Sequence, residues 1–342
     1  MNQSALETLG TSASASRWQD VAKQAGLDFE VRKEQLYHPR TNLPLFGTYG
    51  IFRTDNDAFL GVVGDRYIPI QNATIFSFLD SIIEDSAKYE RAGMLNNGGR
   101  IFVVANLLKE HNIHNSGDVH KAFLTAIGSH DGSTSVRIFC TDFRIICSNT
   151  IQLLLRRERG NGVSVKHTNN GESNMYSRLR SLEQVKEQFS STMEKLEFLA
   201  EKKINSKVVD TVIEEIFGIK NGIENASARV KGSVELVKEL LERNDNNAFP
   251  QFRGTAYNLL NAVTEFYDHH SEVRMTDGRV NQTKEILRAE SSLFGRNAEI
   301  KANALEIILA NAQQLATISQ HKIYSLAKQT ESSVLEQILN NN

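Results

Sequence analysis

The stretch KYERAGMLNNGGRIFVVAN, residues 88–106, decides the fold. Asn96-Asn97-Gly98-Gly99 sits between two short runs that carry Tyr, Ile, Phe and Val, and Asn and Gly supply the positive φ of a tight turn. The stretch predicts a β-hairpin with strands at 88–95 and 100–106. Upstream, 47–53, 59–63 and 67–70 have the same character, punctuated by Asp55-Asn56-Asp57 and Gly64-Asp65. One helix interrupts them: Asn72 is placed to cap it, and Ile75, Phe76, Leu79, Ile82 and Ile83 recur at spacings of three and four. Farther upstream, 18–27 reads as a short helix ended by Gly26, and Pro39 and Pro44 break regular structure. Residues 1–16 are small and polar and read as a frayed tail.

Downstream, 121–127 and 135–139 flank a second hairpin turn, His130-Asp131-Gly132-Ser133, and 143–146 continues the block. Asn149 opens an expected helix through Ile151, Leu154 and Leu155. Arg156-Arg157-Glu158-Arg159-Gly160 closes it, because basic residues before a Gly complement the helix dipole. A strand at 163–167 precedes the polar loop 168–174. Beyond it, Leu179, Leu182, Val185, Phe189, Met193, Leu196 and Leu199 predict an amphipathic helix of about seven turns. Further helices are expected near 207–217, 228–243, 254–271, 280–290, 297–318 and 321–339. The fold class is α+β, an antiparallel-rich sheet with helices in the N-terminal half and a helical C-terminal half. It divides into a flexible tail 1–17, an α+β domain 18–170, and a helical domain 171–342 packed on it.

A hydrophobic share of 40% and a charged share of 23% describe a chain that folds. The net charge of −2 gives no global field for nucleic acid or membrane, so any anion site must be local. No apolar run is long enough to span a bilayer, and the N-terminus lacks the basic and apolar regions of a secretory signal. Cys140 and Cys147 have no zinc spacing and fit a reducing, cytoplasmic setting. The phosphate-loop, dinucleotide, nucleophile-elbow and zincin motifs are all absent, which moves the common enzyme classes out of first place.

The basic stretch 133–167 carries Arg137, Arg144, Arg156, Arg157, Arg159 and Lys166 against Asp142 and Glu158, a local excess of four positive charges. Guanidinium forks grip phosphate oxygens bidentately, so these residues with His167 are the candidate nucleic-acid contacts. Phe139 and Phe143 are the candidate stacking rings. His130, Asp131, Asp142, Arg144, Asn149 and His167 form a second polar set, whose Asp and His residues suit a divalent metal only if the fold gathers them. His111, His114 and His120 fall in an Asn-rich stretch that reads as surface loop. Asn258, Asn261 and Glu265 share a helix face and read as a buried polar network.

A collinear series of motifs carries a resemblance. It begins with Arg53-Thr54-Asp55, Leu60-Gly61-Val62-Val63-Gly64 and Tyr67-Ile68-Pro69-Ile70-Gln71-Asn72. Ala92-Gly93, Gly98-Gly99-Arg100, His130-Asp131-Gly132-Ser133, Arg144 to Thr150, His167-Thr168 and Gly254-Thr255-Ala256-Tyr257-Asn258 follow in order. Over roughly residues 18–315 the chain resembles the phage/plasmid-like protein family, also called domain of unknown function 932. Tyr257 stands where many members have tryptophan. The resemblance implies a mobile-element setting and carries over no catalytic residues.

The expected function is binding of nucleic acid, single-stranded DNA ahead of double-stranded, in phage or plasmid DNA metabolism. The strand-helix alternation of 46–167 permits the small core of the single-strand annealing recombinases. The chain is expected to be a homo-oligomer with no membrane partner, no cofactor and no metal. One alternative is an oligomeric or host-inhibiting interaction protein with a seam at Leu182, Phe189 and Leu196. The other is a metal-dependent nuclease using Asp131, Asp142 and His167.

Overall fold

In the computed structural model of the chain, Asn96 and Asn97 take the positive φ that the hairpin demands, 51° and 57°. The structure describes residues 8–12, 17–83, 87–144, 150–153, 163–177, 182–243, 249–274 and 283–314. The chain divides into two compact units, Met1–Glu194 with Val263–Ala302, and Lys195–Ala262 with Asn303–Asn342. The polar loop 168–174 lies inside the first unit.

The strands all belong to that first unit: β1 (Thr11–Ser12), β2 (Val31–Tyr37), β3 (Pro44–Arg53), β4 (Phe59–Val63), β5 (Lys88–Leu95), β6 (Arg100–Ile113), β7 (Asp118–Ser129), β8 (Val136–Arg144), β9 (Thr150–Leu153) and β10 (Val163–Val165). The helices in chain order are α1 (Trp18–Gln24), α2 (Asn72–Ile83), α3 (Gly171–Ser177), α4 (Leu182–Glu201), α5 (Ser206–Phe217), α6 (Ala228–Glu242), α7 (Ala256–Glu265) and α8 (Lys284–Phe294). Residues 296–314 are also helical.

The main sheet is antiparallel throughout, in the order β1-β5-β6-β7-β8. The far edge of β8 is shared: β9 pairs with residues 140–143 and β10 with residues 136–138. Ile101 to Ala105 are apolar at every position because the sheet is buried on both faces. On one face Phe102, Val104, Phe123, Ile127 and Phe139 form a core with Leu9, Leu95 and, from α8, Ala289 and Leu293. Each large side chain so buried contributes roughly 1.5–3 kcal/mol. The opposite face carries Ile101, Val103, Leu124 and Ala126, all buried, and meets α2. Gly128 makes room for that helix: a Cβ there would lie 2.5 Å from Ile75 Cδ1.

The second sheet, β2-β3-β4, sits on the turn that follows β7. Gly61 permits this approach, since a Cβ would fall 2.7 Å from the Asp131 carbonyl oxygen. In the second unit, Asn205 and Ser227 cap α5 and α6 by accepting from Val208 N and Val230 N. Val212, Ile213, Val234, Val237 and Leu240 are its buried apolar stripes.

Several expectations change. Thr150–Leu153 is a strand, because the open edge of β8 offers a ladder that outweighs the helical spacing of 151, 154 and 155. Residues 67–70 are not a strand. Pro69 has no N–H, Ile68 N donates to the His167 carbonyl, and Lys33 Nζ takes the carbonyls of Gly64, Asp65 and Tyr67. The expected tail enters the core: Leu9 is buried, and Thr11 and Ser12 pair with β5. His111 and His120 are cross-strand partners on β6 and β7, not loop residues. Asn72 does not cap α2. Its amide donates to the carbonyls of Leu27 and Phe29 instead. The expected helix at 321–339 lies outside the described residues.

Candidate functional site

Strand alternation sorts the basic residues. Phe102, Ile127, Arg137 and Ser164 form one cross-strand row on the face that α8 covers. The row is apolar where the helix lies on it and turns polar where the helix ends. There Arg137 Nη2 donates to the carbonyl of Phe294, the last residue of α8, at 3.0 Å. A cation is favourable at that carboxyl end of the helix dipole. Arg137 Nε is sealed from solvent and meets no acceptor.

Arg100 opens β6 beside it. Its Nε donates to Ser133 Oγ at 3.0 Å, its Nη1 donates to Glu290 Oε1 at 2.5 Å, and Asp131 Oδ2 lies 3.4 Å away. Around these two guanidinium groups is a cavity of about 260 Å³, lined on its polar side by Arg100, Ser133, Thr134, Arg137, Glu290 and Glu299. Its apolar wall includes Phe102 and Phe294, whose rings lie 5.3 Å apart. Burial pulls the Arg137 guanidinium below its ordinary pKa. Glu299 pushes it back, and neighbouring Arg100 repels it.

Asp131 fixes the turn that shapes this cavity. It accepts from Ser129 Oγ at 2.7 Å and from Ser133 N at 2.8 Å. Burial raises its pKa, but the hydroxyls of Ser133 and Ser129, the Ser133 N–H and Arg100 together hold the carboxyl below its usual range. His130 is wholly buried behind it and bonds Asn72 Oδ1 at 2.7 Å. Since the Asn72 amide donates elsewhere, His130 Nε2 carries the proton and Nδ1 is bare. His167 accepts from Ile70 N through Nδ1 and stacks on Tyr67 with centroids 4.7 Å apart. Burial, helped by the neighbouring His167 and opposed by Asp131, lowers His130 to about 3. Burial, opposed by Asp131 and the Ile68 backbone, lowers His167 to about 4.

The expected contacts separate accordingly. Arg137 lines the cavity. Lys166 is exposed, and exposure alternates from Ser164 to His167, so Lys166 follows Ser164 on the outward side. Arg144 lies seven residues beyond Arg137, on the opposite face. It is buried with Asp118, its Nε and Nη2 donating at 2.7 and 2.6 Å. Phe139 is core, and Phe143 is half-buried edge-on against Phe123. His167 is buried. Burial takes these four off the expected surface: strand parity turns Arg144 to the other face, whereas Phe139 and Phe143 share the face of Arg137 and pack in or against the core there. Arg156, Arg157 and Arg159 lie outside the described residues.

The carboxylates are also dispersed. Asp142 bonds His120 Nδ1 at 2.8 Å near the far end of β8 from Asp131. Among the described residues no group of three or more His, Cys, Asp or Glu is placed to hold a metal ion. No helix among them is long and apolar enough to cross a membrane.

Thr134, Glu290 and Glu299 went unread in the sequence, and Arg100 was read only as part of the Gly98-Gly99-Arg100 motif. One signal was present: Glu290 stands three residues from both Leu287 and Leu293, a carboxylate on the apolar stripe of its helix.

No curated protein and no solved structure matches the chain. A family model matches residues 59–291, which take in both cleft arginines, the Asp131 turn and Glu290. That match covers more than half of the chain, and the protein belongs to the family described as a domain of unknown function (DUF932).

Proposed function

We propose that the protein is a non-catalytic binder of single-stranded nucleic acid, DNA foremost, that takes phosphate at the Arg100–Arg137 end of its main sheet. The observation that carries this reading is Arg137, whose guanidinium lines an open cavity beside Arg100 and has one nitrogen, Nη2, committed to the Phe294 carbonyl. Arg100 lies beside it, Lys166 and Ser164 continue the same side, and Ser135 Oγ lies 2.9 Å from Ser164 Oγ. The resemblance to phage and plasmid proteins supports a mobile-element setting, with recombination among the tasks served. Free Cys140 suits the cytoplasm.

Counterion release sets the test. With about three phosphates neutralised, log K for single-stranded DNA falls with log salt at a slope near −2. Arg137→Gln and the exposed Lys166→Gln each reduce that slope by about 0.7. Absence of binding at low salt, or a slope untouched by both variants, ends this reading.

A second reading has its own observation. Arg32, Phe52 and Phe59 form a cross-strand row on the outer side of the small sheet, where Phe59 and Val62 are each 54% exposed and Phe46 is 88% exposed. That apolar face suits a second copy of the chain. Of the expected seam Leu182, Phe189 and Leu196, the last two are fully buried within the chain. Light scattering on the protein and on Phe59→Glu decides: a wild-type monomer at every concentration removes the self-association reading.

A further inference from the structure

We infer that the cleft lined by Arg100 and Glu299 reads a base, and that the base it takes is guanine. This rests on the nucleic-acid reading above and adds a sequence preference to it. Charge is the first reason. Two guanidinium groups, Arg100 and Arg137, share the cleft with the carboxylates of Asp131, Glu290 and Glu299. It holds no positive excess, so the part of a strand that suits its interior is a neutral one. Arg137, Ser164 and Lys166, which follow one side of the sheet, are left to the neighbouring phosphates. Size and lining agree. The volume of about 260 Å³ lies just below the ~300 Å³ at which drug-sized ligands begin to fit, which is room for one base. Phe102 and the half-buried Phe294, with Leu95 and Ile127, offer its ring an apolar wall.

The groups left uncommitted select the base. Arg100 gives Nε to Ser133 and Nη1 to Glu290, which leaves Nη2 as a donor. Glu290 is engaged by Arg100, and Asp131 by Ser129 and Ser133. Glu299 is different. It is exposed on the same cavity and its charge reaches Arg137, but among the described residues no ion pair or hydrogen bond engages its oxygens. One donor with two acceptors on a shared cavity is the set that cytosine presents to guanine in a base pair. Guanine O6 accepts from the guanidinium, and N1–H and N2–H fill the two carboxylate oxygens. The other bases fill only one of them. Adenine and cytosine each offer one amino group with a ring-nitrogen lone pair beside it, which the second oxygen repels. Thymine offers one N–H between two carbonyls.

The test uses the full chain and fluorescence anisotropy with short thymine strands that carry one central guanine, adenine, cytosine or hypoxanthine, beside the all-thymine strand. A single guanine per strand keeps four-stranded structures out. The expected result is about tenfold tighter binding of the guanine strand, within the range that one bidentate base contact gives. Hypoxanthine keeps O6 and N1–H but lacks the N2 amine, so it loses most of that preference. Glu299→Gln, at an exposed position, erases the preference while keeping the wild-type melting temperature. Equal binding of all strands overturns the inference and leaves the nucleic-acid reading standing. A preference for adenine or cytosine overturns it, as does a guanine preference that hypoxanthine matches or that survives Glu299→Gln. Absence of binding by every strand at low salt removes the nucleic-acid reading itself, and this inference with it.

Discussion

Alanine in place of Asp118 leaves the Arg144 guanidinium buried without its bidentate partner. The expected loss is about 3–5 kcal/mol in urea unfolding, whereas replacing both residues by apolar ones of similar volume costs far less. Arg137 and Arg144 are the same residue type on the same strand, and only the parity of their spacing sends one to a cavity and the other to a buried ion pair. His130 and His167 make a prediction about acid. Both imidazoles are neutral in the folded chain, with pKa values of about 3 and about 4 against an ordinary 6.5. Above pH 6.5 neither affects stability. As pH falls from 6.5 toward 4, the unfolded chain binds two protons that the folded chain refuses, so stability drops by up to ~1.4 kcal/mol per pH unit for each histidine. His167→Gln halves the difference in urea midpoint between pH 7 and pH 5. An unchanged difference contradicts the assignment.

At the scale of elements, β6 bulges between Asn106 and Glu110, where four steps on β6 face two on β7. Leu108 at the bulge is 57% exposed and held at φ 52°, a left-handed conformation that costs a side chain roughly 1–2 kcal/mol. Leu108→Gly is expected to raise stability by about 1 kcal/mol in urea unfolding. The bulge also lets Lys109 reach α4, donating to Lys186 O at 2.8 Å and Ser190 Oγ at 2.6 Å. Elements bounded by their own turn residues were legible: 59–63, 88–95 and 228–242 fall where their flanking Asn, Gly and Ser put them. β2 was not, because Pro39 and Pro44 read as breakers. Pro44 in fact begins β3, a position where a strand tolerates it. β9 was not, because its ladder partner, not its own spacing, decides its form.

At the scale of the molecule, the site was half visible. A basic interval could be read along the chain, but strand parity removes Arg144 from it. The residue that closes the cleft on Arg100 is Glu290, 190 positions away, beyond any local pattern. That distance has a temporal side. Val263–Ala302 belongs to the first unit, although Lys195–Ala262 of the second precedes it. A fragment of residues 1–262 therefore lacks Ala289 and Leu293 and leaves the Phe102–Phe123–Phe139 face bare. Such a fragment is expected to aggregate or bind a hydrophobic dye, while a fragment of residues 1–302 keeps that face covered. During synthesis the ribosome must deliver everything from 195 to 302 before the first unit can close, a delay of about 5–20 seconds. Over that interval the nascent sheet is a natural client for chaperones.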